Sequence, residues 1–334
     1  MGAMQAMDRR AWIMGTGAWL AAGAWPGWAR AADEDAHRFD SPSMPYDEFD
    51  RAKFEQVDVE GGRLRVVFGP GTPALPRGRI LAYVRQSATS VATYFGRFPA
   101  RDTRVLLLFT AQPGKAVRGG SAFAHRGSAI KLTLSEQATA ADLADDWVLV
   151  HEMSHLALPS LPQAQHWFEE GMATYVEPLA RVQAGVLPVE RPWADMLRDM
   201  AQGLPKAGDR GLDETPTWGR TYWGGAMFCL LADVEIRQRT GNRMGLQHAL
   251  RAIMAHGNME ADSALPPLLA IGDKAVGLPV LQELYGQMKS APHPVDLLGL
   301  WTKLGVYAEG DSVRFDEQAP LAATRRALTQ RPAA

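Results

Sequence analysis

The chain has 334 residues, 46% of them hydrophobic and 22% charged, which is enough for one or two domains with a substantial core. Its formal net charge of −2 gives no electrostatic reason to bind nucleic acid or an anionic membrane, and neither partner is expected. The single cysteine, Cys229, excludes an intrachain disulfide and is expected to be a small core residue.

The first residues carry the pattern of an export signal. An arginine pair at 9–10 precedes an apolar run over 11–25, and a small-x-small cleavage site follows at 29–31. Residues 1–31 are therefore predicted to be a signal peptide that directs the protein to the periplasm or the medium. The arginine pair fits a twin-arginine signal or an ordinary secretory signal, and the apolar run is too interrupted for a stable membrane anchor. Residues 32–50 are predicted to be a flexible lead-in.

Residues 51–138 are predicted to form an N-terminal α/β part. The segment 80–97 has the hydrophobic spacing of an amphipathic helix, and 102–110 reads as a buried strand. The stretch 120–134 is predicted to be the edge strand of a small sheet. It would form one wall of a groove, along which an extended peptide could lie by strand addition.

The run from His151 to His155 is the most informative feature of the chain. Two histidines four residues apart on a helix project to one face and can bind one Zn²⁺, and Glu152 can serve as general base. Thr139 is predicted to cap the helix, and Pro159 to follow its end. The motif is therefore expected in the middle of this helix.

A catalytic zinc needs a third protein ligand, and the next segment supplies two carboxylates. Glu169 and Glu170 follow His155 after a proline-containing turn, with enough residues between for a second, antiparallel helix to return to the metal. The two glutamates are one residue apart, which is about 100° of helix rotation. Only one of them is therefore expected to face the histidines, and the other is its rival.

Two further blocks resemble a known family. The segment 167–175 is similar to the Trp-x-x-Glu-Gly-x-Ala segment that follows the His-Glu-x-x-His helix of gluzincin metallopeptidases. The segment 222–228, continued to Gly241, resembles the Tyr-x-Lys-Gly-Ala segment of the glycyl aminopeptidase family. The resemblance covers roughly residues 80–328.

The resemblance implies a role for each residue of the site. His151, His155 and Glu170 would be the zinc ligands, with the preceding glutamate as the rival, and Glu152 would be the base. Tyr222 would stabilise the oxyanion of a tetrahedral intermediate, where a positioned donor lowers the barrier. The alternative for this tyrosine is a buried side chain that anchors the start of a helix.

The stretch 121–128 departs from the family pattern. The family carries an acid here that could pair with the free amino terminus of a substrate, whereas this chain has Ala124. A strict aminopeptidase is therefore not expected. His125 and Arg126 are retained and are predicted, with Ala124, to contact substrate; the alternative is an edge-strand histidine and a solvated arginine. Gly224 also stands where the family has lysine.

The predicted fold is α+β: a thermolysin-like zincin catalytic domain with a small twisted N-terminal sheet and a mostly helical zinc-binding part over 139–334. The chain is expected to be a reduced form without the large N-terminal β-domain or an inserted PDZ domain. The predicted function is an exported zinc metallopeptidase that cleaves peptide or protein substrates through a zinc-activated water. The alternative is a non-catalytic peptide- or protein-binding module on the same scaffold. No oligomeric state follows from the sequence.

Overall fold

The structure, a computed structural model, describes residue 39 and residues 41–331. The predicted signal peptide, residues 1–31, lies outside the described residues. The helices are α1 Tyr46–Arg51, α2 Arg77–Phe95, α3 Ala140–Asp145, α4 Val148–His155, α5 His166–Gln183, α6 Glu190–Asp199, α7 Gly225–Thr240, α8 Leu246–His256, α9 Leu265–Val276, α10 Val280–Met288, α11 Leu297–Leu304 and α12 Ala322–Thr329. The strands are β1 Glu55–Val59, β2 Gly62–Phe68, β3 Asp102–Thr110, β4 Val117–Phe123, β5 Ala129–Ser135, β6 Val306–Glu309 and β7 Ser312–Phe315. None of the helices in this described part has the length and apolar character needed to cross a membrane.

The chain has a mixed α and β structure, with a small sheet in its N-terminal part and helices through most of the remainder. Five strands form the sheet in the order β1-β2-β3-β5-β4. The three inner strands are parallel, and the two edge strands pair antiparallel. The single edge strand predicted over 120–134 is wrong: these residues belong to two strands, and only β4 lies at the edge. The chain reverses between them at Gly127, whose φ of 90° favours glycine.

Both faces of the sheet are covered. Val105 and Leu107 of β3 point into the main core, while Leu106 between them points to the other face, as strand alternation requires. That second face is packed by residues of the segment that precedes β1, namely Met44, Tyr46 and Phe49. The prediction of a flexible lead-in is therefore wrong for residues 41–50, because their apolar side chains are buried against the sheet.

The helix that carries the histidine motif is shorter than predicted. Thr139 does cap a helix, through a reciprocal pair of hydrogen bonds with Asp142, but this helix is α3 and ends at Asp145. A separate helix, α4, begins at Val148. The prediction of one continuous helix with the motif in its middle is wrong, since His151–His155 form the C-terminal part of α4.

The break between the two helices is caused by Asp146. Its buried carboxylate accepts hydrogen bonds from the backbone N–H groups of Val148 and Leu149, both at 3.1 Å, and from the hydroxyl of Tyr83. A short carboxylate that binds the next backbone donors offers the chain an alternative to helix continuation. The same contacts fix the start of α4 and so the direction in which the motif points.

Two helical segments approach each other backbone to backbone at a glycine pair. A Cβ atom built on Gly171 of α5 would lie 2.2 Å from the Cα atom of Gly225 at the start of α7. A Cβ atom on Gly225 would lie 2.2 Å from the carbonyl oxygen of Trp167. Neither position has room for a side chain, so the packing of α7 on α5 depends on these two glycines.

Replacing Gly171 by alanine is expected to lower the free energy of unfolding by about 1–3 kcal/mol or more, because the added methyl group overpacks a backbone contact. Denaturant unfolding of the metal-free protein measures this effect. Gly286→Ala in α10 is the matched control, since a Cβ atom there meets nothing within 4 Å and helix propensity favours alanine. Equal unfolding midpoints for Gly171→Ala and the unmodified protein would contradict the described packing.

Candidate active site

Three side chains that were predicted from the sequence meet between α4 and α5. The Nε2 atoms of His151 and His155 lie 3.2 and 3.7 Å from Oε2 of Glu170. The donor atoms of the three residues all lie within 4.8 Å of one another. Because α4 is short and α5 begins with the segment that carries Glu170, the carboxylate returns to the histidine face as predicted.

This arrangement fits a zinc ion. Two imidazoles and one carboxylate are a donor set of catalytic zinc sites, and ligand atoms about 2.1 Å from a tetrahedral metal lie roughly 3.4 Å apart. The separations of 3.2 and 3.7 Å to the Glu170 oxygen are close to that value. The three residues therefore form a candidate metal site, and both histidines would bind through Nε2.

The rival glutamate has different partners. Oε1 of Glu169 accepts a hydrogen bond from the backbone N–H of Leu161 at 2.9 Å, and Oε2 lies 2.9 Å from Nδ1 of His166. Glu169 is not part of the candidate metal site. Of the two alternatives left by the sequence, the structure therefore places Glu170 with the histidines and turns Glu169 away.

The ionisation states of His151, His155 and Glu170 depend on one another. Burial opposes ionisation of Glu170, but the two histidines beside it outweigh burial and lower its pKa to about 2. Burial lowers the pKa of His155 to about 4, so this ring is neutral near pH 7. The hydrogen bond to Glu170 raises the pKa of His151, against the effect of burial. An anionic carboxylate and neutral imidazole are the ligand forms that a metal requires.

Glu152 lies beside the candidate metal site under the backbone of β4. A Cβ atom on Gly120 would lie 2.7 Å from Cγ of Glu152, so a glycine is needed where the strand crosses this side chain. Desolvation raises the pKa of Glu152 to about 7, although the neighbouring His151 and the backbone N–H of Ala122 favour its charged form. A carboxyl group with this pKa can exchange a proton near neutral pH.

Tyr222 approaches the same site from the opposite wall. It lies in a π-helical turn, Arg220–Gly224, which leads directly into α7, and such turns occur frequently at functional sites. Its ring is stacked with that of His151 at 6.4 Å and with that of Trp218 at 5.7 Å. Burial, together with the neighbouring Glu170, raises its pKa. The phenol therefore remains a neutral hydrogen-bond donor.

These residues line a cavity of about 390 Å³. Backbone of the edge strand, from Gly119 to Ala122, forms one wall. Sequence reasoning did not identify several other side chains that line it, namely Trp147, His166, Thr174, Trp218, Trp223 and Met259. Only His166 had a usable signal: it lies four residues before Glu170, the spacing that brings two side chains of a helix together.

Ala124, His125 and Arg126, predicted to contact substrate, are not among the residues that line this cavity. Arg126 forms an ion pair with Asp47 at 2.7 Å, and the ring of His125 packs edge-on against Tyr46 at 4.6 Å. Both therefore hold the segment that packs on the far face of the sheet. The physical reason is the burial of that segment, which recruits the turn after β4 as its partner.

The fold of this chain is similar to that of a solved protein of the aminopeptidase N family. An aminopeptidase N family protein from Idiomarina loihiensis matches with a TM-score of 0.58 and 17% identity, over 76% of this chain and 49% of that protein. An M1 zinc metallopeptidase from Deinococcus radiodurans matches with a TM-score of 0.45 and 19% identity, over 72% and 53%. The chain thus spans about half the length of these solved structures. No family model and no curated protein matches the sequence.

Proposed function

We propose that this protein is a zinc-dependent metallopeptidase that cleaves peptide bonds and is not a strict aminopeptidase. One observation carries the proposal: the zinc-type donor set of His151, His155 and Glu170 opens into the same cavity as Glu152 and Tyr222. Zn²⁺ held by these donors would supply Lewis-acid polarisation of a carbonyl group and acidification of water. The remaining chemistry belongs to side chains of the chain itself.

In the proposed mechanism, Glu152 transfers the proton. With a pKa of about 7, its carboxylate can accept a proton from the attacking water and, once protonated, deliver it to the amine that leaves. The β4 backbone crosses this side chain at Gly120 and limits its position. Burial raises its pKa, while the backbone N–H of Ala122 in the same strand favours its charged form.

In the proposed mechanism, Tyr222 stabilises negative charge on the scissile carbonyl oxygen. Its phenol is neutral and forms a hydrogen bond with the Glu170 side chain, and its ring is stacked with that of Trp218. A donor that is already oriented costs no reorganisation when charge develops. The indole rings of Trp147 and Trp223 enclose the cavity with apolar surface, which strengthens this interaction.

Each carboxylate in the described lining of the cavity already has a partner within the protein. Glu170 faces the histidines, Glu152 receives the backbone N–H of Ala122, and both oxygens of Glu169 have partners. The cleaved peptide bond therefore need not lie next to a free amino terminus. Strand addition to the edge strand β4 would hold an extended chain on either side of the cleavage point.

A peptide with a free amino terminus and its N-acetylated form are expected to be cleaved with kcat/KM values within a few-fold of each other. A charged hydrogen bond to the ammonium group would contribute roughly 1.5–3 kcal/mol, or about 10- to 150-fold, whereas the carboxylates in the described lining of the cavity already have other partners. Measuring both peptides with the same enzyme preparation tests this expectation. A strong preference for the free amine that disappears in Glu169→Gln would assign an amino-terminus site to Glu169 and overturn the endopeptidase interpretation.

The proposed activity itself is tested by digesting a peptide library with the zinc-loaded protein. Cleavage that is absent from the metal-free protein and from Glu152→Gln would support the proposal. A library left intact by the zinc-loaded protein, with zinc present at one ion per chain, would favour a module that binds peptides without cleaving them.

We also propose that the protein is exported to the periplasm or the medium, on the sequence of residues 1–31 alone. Fractionation of cells that express the full chain tests this proposal. Export predicts a shortened protein that begins after Ala31, outside the cytoplasm. Retention of the full-length chain in the cytoplasm would exclude it.

A further inference from the structure

His166 lies in the cavity although the proposed mechanism does not use it. It is the first residue of α5, its side chain is 42% exposed, and it is one of the residues that line the cavity. Its Nε2 atom lies 3.4 Å from Oε1 of Glu170. The histidine therefore contacts the carboxylate oxygen that does not face His151 and His155.

The other side of the ring is fixed. Nδ1 of His166 lies 2.9 Å from Oε2 of Glu169, and the second oxygen of Glu169 accepts the backbone N–H of Leu161 at 2.9 Å. A continuous line of contacts thus runs from the backbone at Leu161 through Glu169 and His166 to Glu170.

The two oxygens of Glu170 face different histidines, and the Tyr222 side chain is a further hydrogen-bond partner of this carboxylate. Oε2 faces the Nε2 atoms of both motif histidines, at 3.2 and 3.7 Å, and Oε1 faces His166. A carboxylate held in this way presents one oxygen to a metal in a fixed direction. Groups that hydrogen-bond to a metal ligand and orient it raise the affinity for the metal, and their loss typically lowers that affinity by about 10- to 100-fold.

We propose that His166, held by Glu169, is a positioning residue that orients the Glu170 carboxylate for metal binding. The inference rests on the proposed zinc site but does not require that the protein cleave peptides. It also gives Glu169 a role: this glutamate orients the ligand through His166 and does not bind the metal.

The test is the zinc dissociation constant, measured by competition with a chromophoric chelator. His166→Ala is expected to weaken zinc binding by about 10- to 100-fold. His166→Gln, whose amide can still donate to Glu170, should recover much of the loss, and Glu169→Gln should weaken binding by a smaller factor. His256→Ala, which removes an exposed histidine at the end of α8, is the control and should bind zinc like the unmodified protein.

A spectroscopic readout separates positioning from a general loss of structure. The visible absorption of the Co²⁺-substituted protein reports the geometry around the metal, and His166→Ala should change it whereas His256→Ala should not. If His166→Ala does not fold, the dissociation constant and the Co²⁺ spectrum of the unmodified protein are compared with those of His166→Gln and Glu169→Gln.

The measurements distinguish a failure of the proposed function from a failure of this inference alone. An unmodified protein that binds no zinc would overturn the proposed function and this inference together. An unmodified protein that binds zinc, with His166→Ala showing the same dissociation constant and the same Co²⁺ spectrum, would overturn the inference alone.

Discussion

Glu152→Gln is expected to retain the fold and the bound zinc and to lose about 100- to 10,000-fold in peptide hydrolysis, the range that general acid–base catalysis contributes. Glutamine fills the same space beneath β4 but cannot accept a proton from water. Glu152 is also not one of the three donors of the candidate metal site, so metal content should not change. The measurement is kcat at saturating peptide, with zinc content determined on the same sample.

The matched control for this variant is Glu235→Gln. Glu235 is an exposed residue of α7 whose contact with Arg239 spans 3.7 Å, and exposed pairs of this kind contribute little to stability. It should leave turnover unchanged. Turnover of Glu152→Gln at the unmodified rate, with zinc bound, would exclude Glu152 as the base.

Glu170→Ala is expected to have the largest effect on metal binding. It removes one of the three candidate donors and leaves two histidines. Zinc affinity should therefore fall by more than the roughly 10- to 100-fold that is typical when a residue that only orients a ligand is lost. Elemental analysis after dialysis should show about one zinc per chain in the unmodified protein and little in this variant.

The neighbouring glutamate provides the comparison. Glu169→Ala should keep zinc through the same dialysis, with a smaller loss of affinity, because its oxygens face Leu161 and His166 and not the metal site. Full zinc occupancy in Glu170→Ala, with loss in Glu169→Ala, would reverse the assignment of the third ligand.

The two histidines of the candidate metal site were predictable from the sequence because their geometry is local, whereas the choice of Glu170 over Glu169 came from the family resemblance. A four-residue spacing fixes two rings on one helix face, and a short connection limits where the next helix can place its carboxylates. The central strand β3 was also predictable from the sequence, because a short apolar run such as 102–110 is typical of a buried strand. The fold class follows from the same kind of pattern, a small set of strands followed by helices.

The errors have a different origin, in contacts between residues that are far apart in the chain. The helix break at Asp146 depends in part on Tyr83 of α2, and no periodicity reveals that hydrogen bond. Likewise, the polar composition of residues 32–50 suggested a lead-in, while Tyr46 and Phe49 are buried on the sheet. That packing turned His125 and Arg126 into partners of this segment, away from the cavity.

The role of His166 was missed for another reason. Its spacing to Glu170 was visible, but a histidine at a helix start has many uses, and only the positions of both carboxylates decide between them. The line of contacts from Leu161 to Glu170 includes a backbone group, and backbone groups carry no signal in the sequence.

The glycine contact between α5 and α7 limits how such a site can change over evolution. Glu170 precedes Gly171, and Tyr222 lies about one turn before Gly225, so the backbone contact of the two glycines links the positions of the proposed metal ligand and the proposed oxyanion donor. A mutation that displaced Glu170 would therefore displace Tyr222 as well, and selection would act on the two positions together. Substitutions that change the substrate, in nature or in a directed-evolution library, are therefore expected in the parts of the cavity wall that this contact does not hold. These parts are the edge strand β4 and the tryptophans around the cavity.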